Sequence, residues 1–151
     1  MMTENTVLCE EDTAKLLREC FAGIKMGASS IDEVLEYVKS NALRARLTRC
    51  KDEHVALLGE TEARLHMDGE KGKEPSAMAK SMSWIKSNVK LAMHESDATI
   101  ADLITVGCNM GTKALHRYLN QYKEADAGAR DIAKRLIESE ESLAADLRSY
   151  L

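Results

Sequence analysis

The chain has 151 residues, 44% hydrophobic, 30% charged and 4% aromatic, with eight glycines, one proline and a formal net charge of −4. This length fits one domain; Gly and Pro are too scarce for a turn-rich β-sandwich, and the apolar share is too high for a disordered chain. The mild acidity argues against general nucleic-acid binding, which needs a basic face. Met1 to Thr6 lacks the apolar stretch of a secretory signal, and no run of about 18 apolar residues is present to span a membrane. Cys9, Cys20, Cys50 and Cys108 lie far apart and form no Cys-x-x-Cys, so they read as reduced thiols. The expectation is one soluble cytoplasmic domain spanning 1–151.

Four long segments carry apolar residues at helical spacing. The first runs from about Glu10 to Lys39, with Leu17, Cys20, Ile24, Ala28, Ile31, Leu35 and Val38 in step. Asn41 is expected to cap the second, whose seam is Leu43, Leu47, Cys50, His54, Leu57 or Leu58, Thr61 and Leu65. Residues 68–97 form a long crossover, in which Pro75 suits a helix start and Met78, Met82, Ile85, Val89 and Met93 make an apolar stripe. The third helix is expected after Asp97, a possible N-cap, with Ile100, Leu103, Gly107, Met110, Ala114, Tyr118 and Gln121 inward. The fourth begins near Asp126 and presents Ile132, Leu136, Glu140, Leu143, Leu147 and Tyr150. Steps of three and four over such lengths predict an all-α four-helix bundle: a hairpin over 10–67, a crossover helix within 68–97, and a hairpin over 98–150.

The two hairpins read as copies. Gly23-Ile24-Lys25-Met26-Gly27 matches Gly107-Cys108-Asn109-Met110-Gly111 at a shift of 84, and Leu43, Leu47, His54 and Leu58 match Ile132, Leu136, Leu143 and Leu147 at a shift of 89. A glycine inside a helix costs about 1 kcal/mol against alanine, so matched glycines suggest backbones in close approach. Two hairpins joined by a long crossover resemble the ferritin-like superfamily over nearly the whole chain. More narrowly, Asp97-Ala-Thr-Ile-Ala-Asp102, the Gly107 to Gly111 stretch and Tyr118-Leu-Asn-Gln-Tyr122 are similar to an uncharacterised bacterial family of ferritin-like domains.

The resemblance implies an architecture and, in the metal-binding members, a dimetal centre. Each hairpin there supplies a Glu on its first helix and Glu-x-x-His on its second. This sequence departs from that pattern. Lys51 stands three residues before His54, and Leu143 stands three after Glu140. The stretches level with them, Gly27-Ala28-Ser29-Ser30 and Asn109-Met110-Gly111-Thr112, carry no carboxylate. The dimetal site is therefore expected to be lost, with no cofactor. Glu140 sits among leucines, so it is expected to be at least half buried and to need a partner. Lys51 is the expected partner, with His54 nearby; the alternative is that both long side chains reach solvent.

Other groups carry less. Cys50 and His54 could begin a zinc site with Cys20 and Cys108, but folding the hairpin leaves Cys20 roughly 15 Å along the axis from Cys50. His66, His94 and His116 read as solvated. Lys80, Lys86 and Lys90 face away from the methionine stripe, and with Trp84 they make a basic amphipathic segment suited to a partner, a dimer contact or a membrane surface; covering its own bundle is the plainer use. The expected function is a non-catalytic structural or protein-interaction bundle, through an unknown protein partner or self-association. The alternatives are residual metal or redox binding through His54 and Glu140, and docking through residues 76–93.

Overall fold

The computed structural model describes residues 3–67 and 96–151. They form four helices and a final turn: α1 (Glu4–Leu35), α2 (Asn41–Met67), α3 (Asp97–Gln121), α4 (Ala127–Leu147) and a 3-10 turn at Arg148–Tyr150. The architecture is an all-α bundle. The expected crossover helix, with Trp84, Lys80, Lys86 and Lys90, lies outside the described residues.

Helix ends follow local hydrogen bonding more than the apolar stripe. α1 starts six residues before the expected Glu10, because the Thr3 hydroxyl accepts from Thr6 N–H at 3.2 Å and caps a polar first turn. It stops at Leu35, where Tyr37 N–H turns back to the Val34 carbonyl at 3.0 Å. Ser40, not Asn41, caps α2: its Oγ accepts from Leu43 N–H at 3.2 Å. Asp97 is not the cap of α3 but its first residue, after Ser96. Asp126 does cap α4, accepting from Ala129 N–H at 2.9 Å.

Two clasps set the relative direction of the hairpins. The Asp97 carboxylate accepts from Lys39 N–H and Ser40 N–H, both at 2.8 Å, so the start of α3 holds the α1–α2 turn. At the other end, Asp12 accepts from Glu124 N–H at 3.0 Å and Thr13 Oγ from Asp126 N–H at 2.8 Å, so the third turn of α1 holds the α3–α4 turn. α1 is thus antiparallel to α3, and the end of α2 lies at the opposite end of the bundle from the start of α3. Arg135 of α4 grips Glu60 of α2 with two bonds of 2.8 Å, and Arg46 of α2 meets Asp146 of α4 at 2.6 Å. Exposed pairs of this kind contribute less than about 1 kcal/mol each, so packing must supply the stability.

The core has two apolar halves. One gathers Leu16, Leu17, Ile24, Leu65, Leu119 and Leu136; the other gathers Ile31, Val34, Leu43, Leu47, Ile100 and Leu147. A fully buried leucine stabilises by about 1.5–3 kcal/mol relative to an exposed one. The seams of α2 and α4 lie where the sequence puts them, but that of α3 is displaced. Ile100, Ile104, Cys108, Leu115 and Leu119 are buried, whereas Leu103, Gly107 and Tyr118 are half-buried and Met110 is 56% exposed. The stripe begun at Leu103 therefore runs along the edge of the helix rather than its inward face.

Replacing Asp97 by Ala is expected to lower unfolding free energy by about 1–2 kcal/mol through loss of two charge-assisted bonds to backbone N–H groups. Asp97→Asn should recover part of it. Urea unfolding of the three proteins measures this.

Candidate functional site

Between the two apolar halves lies a polar layer built from one position on each helix: Gly27, His54, Gly111 and Glu140. His54 is 1% exposed and Glu140 8%. The glycines make room for them. A Cβ on Gly27 would lie 2.8 Å from His54 Nε2, and one on Gly111 would lie 2.5 Å from Glu140 Oε2. Both distances are closer than a carbon can pack, so neither helix position accepts even alanine without displacing the facing side chain. The earlier glycine of each matched pair is different: at Gly23 the nearest contact is 4.0 Å and at Gly107 there is none within 4 Å.

His54 is oriented by its own helix. Its Nδ1 lies 2.9 Å from the Cys50 carbonyl, which can only accept, so Nδ1 carries a proton and donates. Nε2 then faces Glu140 Oε1 at 3.7 Å, within ion-pair range but beyond a hydrogen bond. Glu140 Oε2 is buried with no hydrogen-bond partner. The Cys50 thiol sits 3.6 Å from His54 Nδ1 and 3.7 Å from Ser139 Oγ.

The layer opens onto a cleft of about 60 Å³. Met26 and Ser30 of α1 and Leu103 and Gly107 of α3 wall it and are half-buried, while Cys50, His54, Cys108 and Glu140 lie deeper. Ser30 Oγ donates to the Met26 carbonyl at 2.6 Å, leaving its oxygen free to accept.

The expected Lys51–Glu140 pair is not formed. Lys51 stands one residue beyond the seam position Cys50, at the edge of α2 facing α1, and its Nζ pairs with Asp32. The countercharge for Glu140 comes from His54 instead. Leu143 is 1% exposed and closes the layer on the apolar side. The four-member zinc set also fails to assemble, because Cys20 packs in one half of the core and Cys50 with Cys108 in the other. His66 and His116 are exposed. Trp84, Lys80, Lys86, Lys90 and His94 lie outside the described residues.

A dimetal centre does not fit these residues. The layer offers one carboxylate and one imidazole, whose Nδ1 is already committed to a carbonyl, and glycine stands at the two positions from which α1 and α3 would supply carboxylates. Among the described residues no group of three or more His, Cys, Asp or Glu side chains is placed to hold a metal ion.

Electrostatics make the layer a proton holder. Burial works against charge on His54, but the adjacent Cys50 thiol and Glu140 carboxylate outweigh it and push the imidazole up to about 10. Burial likewise raises Glu140, with His54 opposing. Both shifts point the same way: the pair keeps a proton well above the range of a free imidazole. Burial pushes the Cys20 thiol up to about 12, helped by Glu19; it also raises Cys108, helped by Glu140 and Cys50. These thiols are neutral and unreactive at physiological pH.

The sequence marks Gly27 and Gly111 as unusual and places their stretches level with the facing turns, but was not read as pairing each glycine with the side chain it admits. The register carries that signal: folding each hairpin about its turn puts Gly27 and Gly111 level with the His54 and Glu140 turns, where a missing Cβ leaves room for a larger side chain. Set against protein families, characterised proteins and solved structures, the chain matches none of them.

Because the folded pair binds a proton that the unfolded chain releases near pH 6.5, stability is full below that pH and falls as pH rises toward 10. The slope should approach about 1.4 kcal/mol per pH unit. Urea unfolding from pH 6.5 to 8, below the value near 9 at which thiols of the unfolded chain ionise and the buried ones begin to contribute, should show it in the wild type and a flatter profile in His54→Gln. A second comparison concerns the glycines. Gly107→Ala should stabilise by about 0.5–1 kcal/mol, whereas Gly27→Ala should destabilise by about 1–3 kcal/mol through overpacking against the His54 ring, read from thermal midpoints.

Proposed function

We propose that the chain is a non-catalytic helical bundle of the ferritin-like kind, whose dimetal centre has been replaced by a buried His54–Glu140 pair, and that it acts as a structural or protein-interaction module. The observation that carries this reading is the composition of the central layer. Two glycines and one ion pair fill the space where such a centre would need about six ligands.

Other features support it. The two clasps are alike in kind: in each, a side chain in the N-terminal part of one hairpin's first helix accepts from the other hairpin's turn. Thr13 and Asp97 are also related by the same shift of 84 as the glycine stretches. Duplication of an ancestral hairpin accounts for both. The thiols of Cys9, Cys20, Cys50 and Cys108 are unpaired, which suits a reducing, cytoplasmic setting. Among the described residues no helix is long and apolar enough to cross a membrane.

The test is elemental analysis of protein purified without chelator, and again after incubation with Fe(II), Mn(II) and Zn(II). Less than about a tenth of an equivalent is expected throughout. One equivalent or more, lost in His54→Ala, would overturn the reading in favour of a metal or redox binder.

A further inference from the structure

We propose that the seam between α1 and α3 is the seat of the chain's own residues 76–93, with the stripe of Met78, Met82, Ile85, Val89 and Met93 lying against Met26, Leu103, Gly107 and Met110. This goes beyond the structural reading above by giving one face of the bundle a specific occupant, and it stands whether or not the bundle descends from a metal binder.

The first observation is where charge is missing. The outer face of a bundle helix ordinarily carries charged residues toward water. Between Cys20 and Ile31, α1 has a single charged side chain, Lys25, and its Nζ lies over the Phe21 ring at 5.1 Å. Between Leu103 and Thr112, α3 has none. These two stretches face each other across the cleft, which Met26 and Ser30 line from α1 and Leu103 and Gly107 from α3. Val106 and Met110, on the outer side of the same α3 edge, are 39% and 56% exposed. A contiguous apolar patch of this kind marks a surface made to be covered.

The second is the contrast with the other seams. Arg135 with Glu60 and Arg46 with Asp146 tie α4 to α2, and Lys51 with Asp32 ties α2 to α1. His116 faces Glu141 between α3 and α4 at 3.8 Å. Among the described residues no ion pair joins α1 to α3. An apolar stripe laid on any of the other seams would desolvate charged pairs, which is costly; on this one it meets apolar side chains and glycine.

The third is the length of the chain that joins α2 to α3 and where it ends. Its two attachment points lie at opposite ends of the bundle, about 40 Å apart given the 27 residues of α2. A helix over 76–93 spans about 27 Å, and the residues flanking it, at about 3.3 Å each, cover the remainder with slack. Ile85 then comes to the middle of the bundle, at the level of the cleft. Two helices pack against both α2 and α3, namely α1 and α4. The route over α4 crosses the Arg135–Glu60 and Arg46–Asp146 pairs, whereas the route over α1 follows the uncharged seam. Asp97 also anchors the arriving end beside α1, through Lys39 and Ser40 N–H. No acidic residue occurs from Pro75 to His94, and acidic residues outnumber basic ones in α1, so charge favours the same side.

The experiment places p-benzoylphenylalanine at position 85 of the full-length chain, with position 80 as the control. Irradiation joins it to neighbouring C–H bonds, those of methionine foremost, and peptide mass spectrometry maps the product. Cross-links from 85 to Met26, Leu103 or Met110 of the same chain are expected, at far lower yield from 80. Among the described residues a Cβ on Gly107 meets nothing within 4 Å, so Gly107→Arg leaves the four helices intact. It should cut the yield at 85 about tenfold or more, since an unpaired charge under the stripe is costly to bury. In unmodified protein, amide exchange over residues 82–91 should be slowed about tenfold or more relative to a free chain, and Gly107→Arg should remove that protection. The exchange measurement decides the matter if a benzophenone variant fails to fold. The proposal is overturned if the cross-links map to α2 or α4, if they join two copies of the chain, or if position 85 yields no more than position 80. It is equally overturned if residues 82–91 exchange as a free chain, or if Gly107→Arg leaves yield and protection unchanged.

Discussion

A carboxylate at the centre of a helical bundle has to be neutralised, given room, or protonated, because burying it alone costs several kcal/mol. Glu140 sets this condition for the whole molecule. His54 supplies the facing imidazole, and Gly111 supplies the room. Gly27 does for His54 what Gly111 does for Glu140. Two helix-interior glycines, each about 1 kcal/mol less favourable than alanine, are thereby accounted for by the side chains they admit. Removing one member of the layer leaves another without a partner, so the four residues act as a unit.

The layer also explains why the core is divided. Apolar residues pack above and below it, and neither half continues through it. Where the layer meets the α1–α3 seam, small residues leave the cleft that reaches Glu140. The same seam is held at its two ends by the backbone clasps of Asp97 and of Asp12 with Thr13. Those contacts join residues far apart in sequence, and they fix where α1 lies against α3. The geometry of the central site is therefore set by the turns at the bundle's ends as much as by the residues that line it.

Helices α2 and α4 were legible from spacing because each carries one continuous seam: Leu43 to Leu65 in one and Ile132 to Leu147 in the other are buried almost without interruption. α3 was less so. It carries two stripes, Ile100–Ile104–Cys108–Leu115–Leu119 and Leu103–Gly107–Met110, and helical spacing alone does not choose between them. The packing chooses the first, because only that face puts Gly111 against Glu140. The ends of α1 were misjudged for a related reason. A polar turn capped by Thr3 leaves no apolar trace, and Val38 stays buried after the helix has ended.

The sequence by itself determined the all-α class, the pairing of helices into hairpins, and the burial of Glu140 and His54. These follow from periodicity and from residue identity at known offsets, which are local properties. Only the tertiary structure decided which cation meets Glu140. Lys51 and His54 are three residues apart on one helix, which at 3.6 residues per turn leaves them about 60° apart around it, enough to separate an edge position from an inward one. That rotation is set by how α2 packs on α1 and α4, which sends Lys51 to Asp32 and His54 to Glu140. The orphaned Oε2 and the cleft beside it belong to the same class of fact, since they are properties of the space between four helices.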